Sequence, residues 1–180
     1  SATGLPIYFY AEAALRAQTR ELRDLRRGGL DSLIQRAGST LPPDLGRHID
    51  PHTGVVCVGA REPLIAFNIN MRSDLSTART IAASVRESGG GLRGVRALAF
   101  RIEPGICQIS MNLTQPEQAG IDAVFEAIAA AASNSAIGIV GCEVVGLVPE
   151  RWLPDPEKQA ARLLKQPDLC LETRLLSSSS

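Results

Sequence analysis

Neutral amide side chains recur at alternate positions in two otherwise apolar segments of the sequence. Asn68 and Asn70 lie in the first segment, and Gln108, Ser110 and Asn112 lie in the second. Amides and hydroxyls donate and accept hydrogen bonds without carrying charge, so such a set can bind a polar ligand. Asparagine is depleted in strands, which makes two of them at alternate positions unusual. The set is either a polar floor for a ligand or a second lobe, or a sheet surface that faces water.

The loop from Asp44 to Arg61 is the second candidate, and it contains both histidines of the chain. Histidine is the side chain most often used as a general acid or base, so His48 or His52 could serve in that role, although a loop histidine is more often an ordinary surface residue. The glycines at positions 89–91 lack the Gly-Lys-Ser/Thr continuation of a phosphate loop and indicate the end of a helix. The sequence contains no nucleophile elbow, paired-carboxylate signature or dinucleotide fingerprint.

Composition excludes several classes of function. With 44% hydrophobic and 21% charged residues the chain is typical of a globular protein. Nineteen basic residues balance nineteen acidic ones and only 4% of residues are aromatic, so we expect no nucleic-acid partner. Without a run of roughly 20 apolar residues, we expect no membrane partner. The four separated cysteines show no metal-binding spacing, which favours reduced thiols, no metal and a cytoplasmic location.

Hydrophobic periodicity predicts the elements that must position the amides. From residue 55 onward, period-2 and period-3.6 segments alternate. The predicted strands are Leu64–Met71, Val95–Ile102, Ile106–Leu113 and Ile137–Val148, and the predicted helices are Ser76–Glu87 and Glu117–Ala132. The order β-α-β-β-α-β predicts an α/β fold (an α+β sandwich) of the ferredoxin-like, split βαββαβ type, with an antiparallel four-stranded sheet. Its first and third strands are neighbours, which would bring the amides into one cluster.

The flanking segments are less regular. Residues 12–37 predict a helical region broken near Gly28 and Gly29, residues 38–54 a loop, and the apolar run Val55–Val58 an extra edge strand. Beyond residue 150 we expect a short helix around Glu157–Leu164, one more strand near Leu169–Leu171, and a disordered tail from Ser177 to Ser180. The chain starts without Met and enters a strand at once, so we expect an internal point of a longer polypeptide there.

Four blocks of sequence resemble, in order, the second half of the glutamate formiminotransferase family. They are LPIYFYAEAA at 5–14, GAREPLIAFNIN at 59–70, QISMNL at 108–113 and VGCEVVGLVP at 140–149. The resemblance implies two similar ferredoxin-like lobes with a folate groove between them, and exchange of a formimino group between tetrahydrofolate and glutamate in histidine degradation. It further implies that residues 1–54 are the end of the N-terminal lobe and a linker, 55–150 the C-terminal lobe, and 151–180 an extension.

The resemblance also implies site residues. The predicted folate-binding loop comprises Leu45, Gly46, Arg47, His48, Ile49, Asp50, Pro51, His52, Thr53 and Gly54. The predicted substrate contacts are Arg61, Asn68, Asn70, Gln108 and Asn112, with the amides on the pterin or the formimino nitrogen and the arginines Arg61 and Arg47 on a glutamate carboxylate. The family's catalytic histidine belongs to the first lobe, and the contexts of His48 and His52 do not resemble it. We therefore assign no catalytic residue here.

Tetrahydrofolate is thus the expected one-carbon carrier, and folate, glutamate, an N-terminal formiminotransferase lobe and a second copy of the chain are the expected partners. We expect the chain alone to be inactive. An alternative is a non-catalytic folate-binding or assembly module of the same fold. A third interpretation, a ferredoxin-like regulatory domain for amino acids, is disfavoured by the four blocks.

Overall fold

The computed structural model describes residues 4–164, 166 and 168–177. The chain divides into two units, with the boundary between Glu62 and Pro63. The predicted ranges of the lobes, 1–54, 55–150 and 151–180, stay a prediction.

The first unit is built on two parallel strands, β1 (Ile7–Ala11) and β2 (Val56–Ala60), with helices α1 (Leu22–Arg26) and α2 (Gly29–Ala37) between them in sequence. Gly28 has a φ of 76°, a left-handed conformation that suits glycine and separates the helices where the sequence predicts a break. Buried Tyr8 donates a hydrogen bond from its hydroxyl to the Leu41 carbonyl at 2.6 Å, which ties the loop after α2 to β1.

The predicted strand at Val55–Val58 forms, but its partner is β1 and not the sheet that follows. The register runs from Ile7 opposite Val56 to Ala11 opposite Ala60. The Val56 amide also donates to the Pro6 carbonyl at 3.0 Å, so the pairing begins just before β1. This run therefore pairs within the first unit, along the one edge that faces β1.

The second unit has the predicted order of elements. They are β3 (Ile65–Arg72), α3 (Leu75–Val85), β4 (Val95–Glu103), β5 (Ile106–Leu113), α4 (Ile121–Asn134) and β6 (Ile139–Val145). The strands form one antiparallel sheet in the order β4-β5-β3-β6, so the expected four-stranded antiparallel sheet and βαββαβ order are confirmed. β3 and β5 are central neighbours.

One face of this sheet packs against α3 and α4. Alternate residues of the two central strands are fully buried there, including Phe67, Ile69 and Ile109, and α4 contributes Phe125 and Ile128. Period-2 strands and period-3.6 helices each have a single apolar face, and burying those faces together drives the packing. The opposite face of the sheet is not covered by α3 and α4.

Local signals fix the ends of α3. The Asp74 carboxylate caps the helix by accepting hydrogen bonds from the Thr77 backbone amide at 3.0 Å and the Thr77 hydroxyl at 2.6 Å. The helix ends at Val85, and a 3-10 turn from Glu87 to Gly89 leads into the three glycines that follow the helix. A Cβ at Gly89 would collide with the Ala83 carbonyl, and one at Gly91 with the Val85 backbone.

A C-terminal segment covers the β6 edge of the sheet. It contains α5 (Gln159–Leu163) and α6 (Leu171–Ser177). The Gln166 side chain accepts a hydrogen bond from the Val144 amide at 2.7 Å and donates one to the Val144 carbonyl at 2.9 Å, as a neighbouring strand would. The expected strand near Leu169–Leu171 is wrong, because Cys170 makes only an isolated bridge to Val148 and Leu171 begins a helix. Ser177 ends α6, and the rest of the expected tail lies outside the described residues.

Candidate functional site

The sheet face opposite the core carries the predicted amide cluster. Directly paired residues of antiparallel strands point to the same face, so the register places side chains in rows across the sheet. From β4 to β6, one row consists of Leu98, Ser110, Asn68 and Glu143. The next row consists of Phe100, Gln108, Asn70 and Gly141. We call these eight residues the open face.

Glu143 joins the amides of the open face into one hydrogen-bonded network. Its Oε1 accepts from Asn68 Nδ2 at 3.0 Å and from Gln108 Nε2 at 3.1 Å. Gln108 Nε2 also donates to Asn70 Oδ1 at 3.0 Å. Asn68 is only 8% exposed, so its polar atoms need partners within the protein, and the carboxylate supplies one. The cluster is therefore an ordered polar floor.

Gly141 leaves a notch in this floor beside Asn70. A Cβ built on Gly141 would have no heavy atom within 4 Å, so the space above its backbone is open. The register between β3 and β6 shifts directly after Asn70, where Met71 pairs with Ile139. A register shift of this kind is typical of a β-bulge, and a glycine inside a strand often lies at one. The notch, Asn70 and Glu143 together form a shallow polar depression in which a ligand could bind.

Apolar side chains flank the polar floor on both edges. Leu98 and Phe100 of β4 are 60% and 50% exposed, and Val145 of β6 is 62% exposed. A polar centre with an apolar border suits a flat ligand that carries hydrogen-bonding groups, or a second protein surface. A sheet surface that only faces water does not require exposed apolar side chains at its edges.

The sequence predicted part of this arrangement. Asn68, Asn70 and Gln108 meet as expected, with Ser110 beside them, whereas Asn112 pairs with Ala66 one row further along and is exposed. Glu143 was missed. The signal was present, because alternation in the last strand puts Gly141, Glu143 and Val145 on one face and buried Cys142 and Val144 on the other.

The predicted folate-binding loop lies in the first unit, is anchored where it begins, and ends in a turn. The Asp44 carboxylate accepts from the Phe9 amide at 2.7 Å and from Arg16 Nη2 at 2.7 Å. At the other end Gly54 N donates to the Asp50 carbonyl at 2.7 Å. Ile49 is buried, and the remaining polar members Arg47, His48, Asp50, His52 and Thr53 are exposed. The loop thus presents polar side chains on a fixed backbone.

Arg61 is exposed directly after β2, also in the first unit. The predicted site residues are therefore divided, with Arg61 and residues 45–54 in one unit and the amides in the other. The roles assigned to all of them stay predictions.

The cysteines are free thiols. Burial raises the pKa of Cys142 to about 11 and raises that of Cys57 as well, with Arg26 opposing the shift at Cys57. Over residues 4–164, 166 and 168–177, no group of three or more His, Cys, Asp or Glu side chains is placed to hold a metal ion. None of the helices in that same part of the chain has the length and apolar character needed to cross a membrane.

Two family models match the chain. The formiminotransferase domain matches residues 66–163, and the formiminotransferase domain, N-terminal subdomain, matches residues 1–61. The junction between the two matches coincides with the boundary between the two structural units.

Curated relatives give the same result. A glutamate formimidoyltransferase of Streptococcus pyogenes is 36% identical over 156 residues, covering 84% of this chain and 52% of the relative. One from Thermoplasma acidophilum is 35% identical over 167 residues, covering 89% and 54%. A formimidoyltransferase-cyclodeaminase of Sus scrofa is 36% identical over 161 residues, covering 84% and 30%. The chain therefore spans about half the length of the glutamate formimidoyltransferases that it matches.

Proposed function

Because the chain belongs to the formiminotransferase family, we propose that it supplies the C-terminal half of the folate site for exchange of a formimino group between tetrahydrofolate and glutamate. The observation that carries this proposal is the network of Asn68, Asn70, Gln108 and Glu143 on the open face. Such a network orients a polar ligand and does not by itself supply a nucleophile. The chain's share of the reaction is binding and positioning.

In this transfer a nitrogen of tetrahydrofolate attacks the formimino carbon, and the bond from that carbon to the glutamate nitrogen then breaks. The attacking nitrogen must lose a proton and the departing one must gain a proton, so an acid/base group active near neutrality is needed. The neutral amides cannot fill that role. We assign it to a histidine of an N-terminal formiminotransferase lobe, which is the partner expected from the family resemblance.

The first unit contributes the anchored loop to the same function. We assign residues 45–54 to folate contacts, and Arg61 together with Arg47 to a glutamate carboxylate. The exposure of both arginines supports this, because a guanidinium open to solvent can receive a carboxylate. The same proposal includes a cytoplasmic location, a homodimer and a place in histidine degradation.

The proposal is tested by calorimetric titration of the chain with tetrahydrofolate under exclusion of oxygen. We expect binding, and a loss of roughly 5- to 30-fold in affinity on Asn70→Ala, since one hydrogen-bonding amide contributes on the order of 1 to 2 kcal/mol. Asn134→Ala, at the exposed C-terminal end of α4, is the matched control and should bind like the unmodified chain. Absence of binding, or equal affinities for both variants, contradicts the proposal.

A transfer assay separates the leading function from its alternative. The chain is mixed with formiminoglutamate and tetrahydrofolate, with and without an N-terminal lobe taken from one of the curated relatives. Transfer only in the presence of that lobe supports a half-site that needs its partner. Binding without transfer in both mixtures identifies a non-catalytic folate-binding module.

A further inference from the structure

We propose that Glu143 sets the direction of every amide on the open face, and that the face consequently takes the N–H-donating edge of a planar, amidine-type group. This inference rests on the proposed function, because it specifies which chemical group of the substrates lies there. Glu143 is a positioning and specificity-determining residue in this view.

The orientation of the amides follows from what a carboxylate can do. An Asn or Gln side chain keeps nearly the same shape when its oxygen and nitrogen exchange places, so its partners decide its orientation. An ionised carboxylate only accepts hydrogen bonds. Asn68 and Gln108 must therefore turn their NH2 groups toward Glu143 Oε1, at 3.0 and 3.1 Å.

The effect passes from Gln108 to Asn70. Gln108 Nε2 has two hydrogens, of which one goes to Glu143 and the other to Asn70 Oδ1 at 3.0 Å. Asn70 must in turn present its oxygen to Gln108 and its own NH2 group elsewhere. One carboxylate thus determines the direction of three amides.

The atoms that remain make the open face a polar surface centred on one carboxylate. No other described residue donates to Asn68 Oδ1, Gln108 Oε1 or Glu143 Oε2. These three acceptors lie beside three donors, the Asn70 NH2 group, the second N–H of Asn68 and the Ser110 hydroxyl, and the carboxylate is the one charged group among the eight residues of the open face. A ligand group that fits must bring several N–H bonds and, beside Asn70, an acceptor.

Two groups of the proposed substrates have this chemistry. The pterin ring of folate has a 2-amino-4-oxo edge, in which adjacent N–H bonds lie beside a carbonyl oxygen. The formimino group is an amidine whose protonated form carries N–H bonds on both nitrogens. Either can donate one charge-assisted hydrogen bond to Glu143 Oε2, the oxygen that Asn68 and Gln108 leave open, and further N–H bonds to the amide oxygens. Gly141 leaves room next to Glu143 for such a planar group. The carboxylates of glutamate are repelled from the same place.

Glu143→Gln tests the proposal, because it keeps the shape and removes the charge. The substituted side chain can still accept from Asn68 and Gln108 through its oxygen, but it then turns an NH2 group toward the ligand. We expect affinity to fall roughly 10- to 100-fold, as for loss of a charge-assisted hydrogen bond. Glu117→Gln removes one charge at an exposed position before α4 and is the matched control.

Two ligands, titrated separately, show whether the N–H-donating edge belongs to the pterin ring or to the formimino group. Tetrahydrofolate has the pterin and no formimino group, and formiminoglutamate has the formimino group and no pterin. A loss on Glu143→Gln with tetrahydrofolate assigns the pterin, and a loss with formiminoglutamate assigns the formimino group. A tetrahydrofolate analogue without the 2-amino group should bind both proteins equally, which a merely structural role for Glu143 does not predict. Unchanged affinity for both ligands overturns the inference while leaving the proposed function intact.

The orientation itself is testable without any ligand. By nuclear magnetic resonance, the side-chain NH2 hydrogens of Asn68 and Gln108 should exchange with water more slowly than those of exposed Asn112. On Glu143→Leu the protection should disappear, because the acceptor is gone. Equal exchange for all three side chains in the unmodified chain refutes the network whether or not folate binds, so failure of the proposed function is recognised separately.

Discussion

Filling the notch at Gly141 should separate ligand binding from folding. Gly141 lies in β6 on the open face, directly across from Asn70, and a Cβ there meets no heavy atom within 4 Å. Its φ is not among the left-handed values of the described glycines, so a branched side chain can adopt the backbone conformation. Gly141→Val therefore adds three carbon atoms above the floor, the first of which meets no heavy atom of the protein.

We expect Gly141→Val to stabilise the fold and to weaken ligand binding. Glycine in a strand interior costs roughly 0.5 to 1 kcal/mol of folding free energy relative to alanine, and a β-branched residue suits a strand better still. We expect the free energy of unfolding to rise by about 0.5 to 1 kcal/mol, or a few degrees in Tm. A ligand that lies on Gly141 must move away by about the thickness of a methyl group, which breaks its hydrogen bonds to the floor. We expect affinity for tetrahydrofolate to fall by at least about 10-fold.

The assay pairs scanning calorimetry with ligand titration. Gly138→Val is the control, because a Cβ at Gly138 also meets no heavy atom within 4 Å, and Gly138 lies just before β6. The control should not weaken the ligand. Full affinity in a folded Gly141→Val variant would show that the ligand does not lie on the notch. Loss of folding in that variant would refute the conclusion that the notch is open.

Two further predictions concern folding and pH. Asp74→Ala should lower the Tm at pH 7, because α3 loses its cap. Hydrogen bonds from Thr77 lower the pKa of Asp74, so this stabilisation is present above its unfolded pKa and is lost as the pH falls. The Tm difference between variant and parent should therefore shrink at pH 3. An equal difference at both pH values, measured by circular dichroism, contradicts this reasoning. Burial raises the pKa of Cys142 from 9.0 to about 11, so its contribution to stability is complete below pH 9 and is lost as the pH rises through 11. At pH 8 iodoacetamide should therefore modify Cys142 much more slowly in the native chain than in urea, and equal rates by mass spectrometry would refute this.

The sequence was sufficient to predict the sheet and to place most of the polar residues of the open face. Strand alternation has period 2, and the βαββαβ order makes the first and third strands neighbours, so Asn68, Asn70 and Gln108 could be placed together before any coordinates. Glu143 was harder to place. Its strand contains Gly141 and a register shift beside it, and such an irregularity interrupts the alternation that assigns faces.

Partners distant in sequence were also beyond pattern reasoning. The run at Val55 predicts a strand, but nothing local indicates that its neighbour is β1, some 49 positions earlier in the register of Ile7 and Val56. The apolar residues near Leu169 favour a strand by composition, yet only Cys170 bridges to Val148 before α6 begins. In both cases tertiary packing decided what a short apolar run became.

The Gln166 side chain gives the sheet a chemical weak point. It acts toward Val144 as a peptide group does, with one acceptor and one donor in a single plane. Deamidation would convert the donor into a second oxygen facing the Val144 carbonyl, and two acceptors repel. The β6 edge would then lose both hydrogen bonds to Gln166 and depend on the bridges from Leu164 to Cys142 and from Cys170 to Val148, and an edge strand that becomes exposed is a template for association with other chains. The stability of this unit during storage therefore depends in part on whether the side-chain amide of Gln166 stays intact.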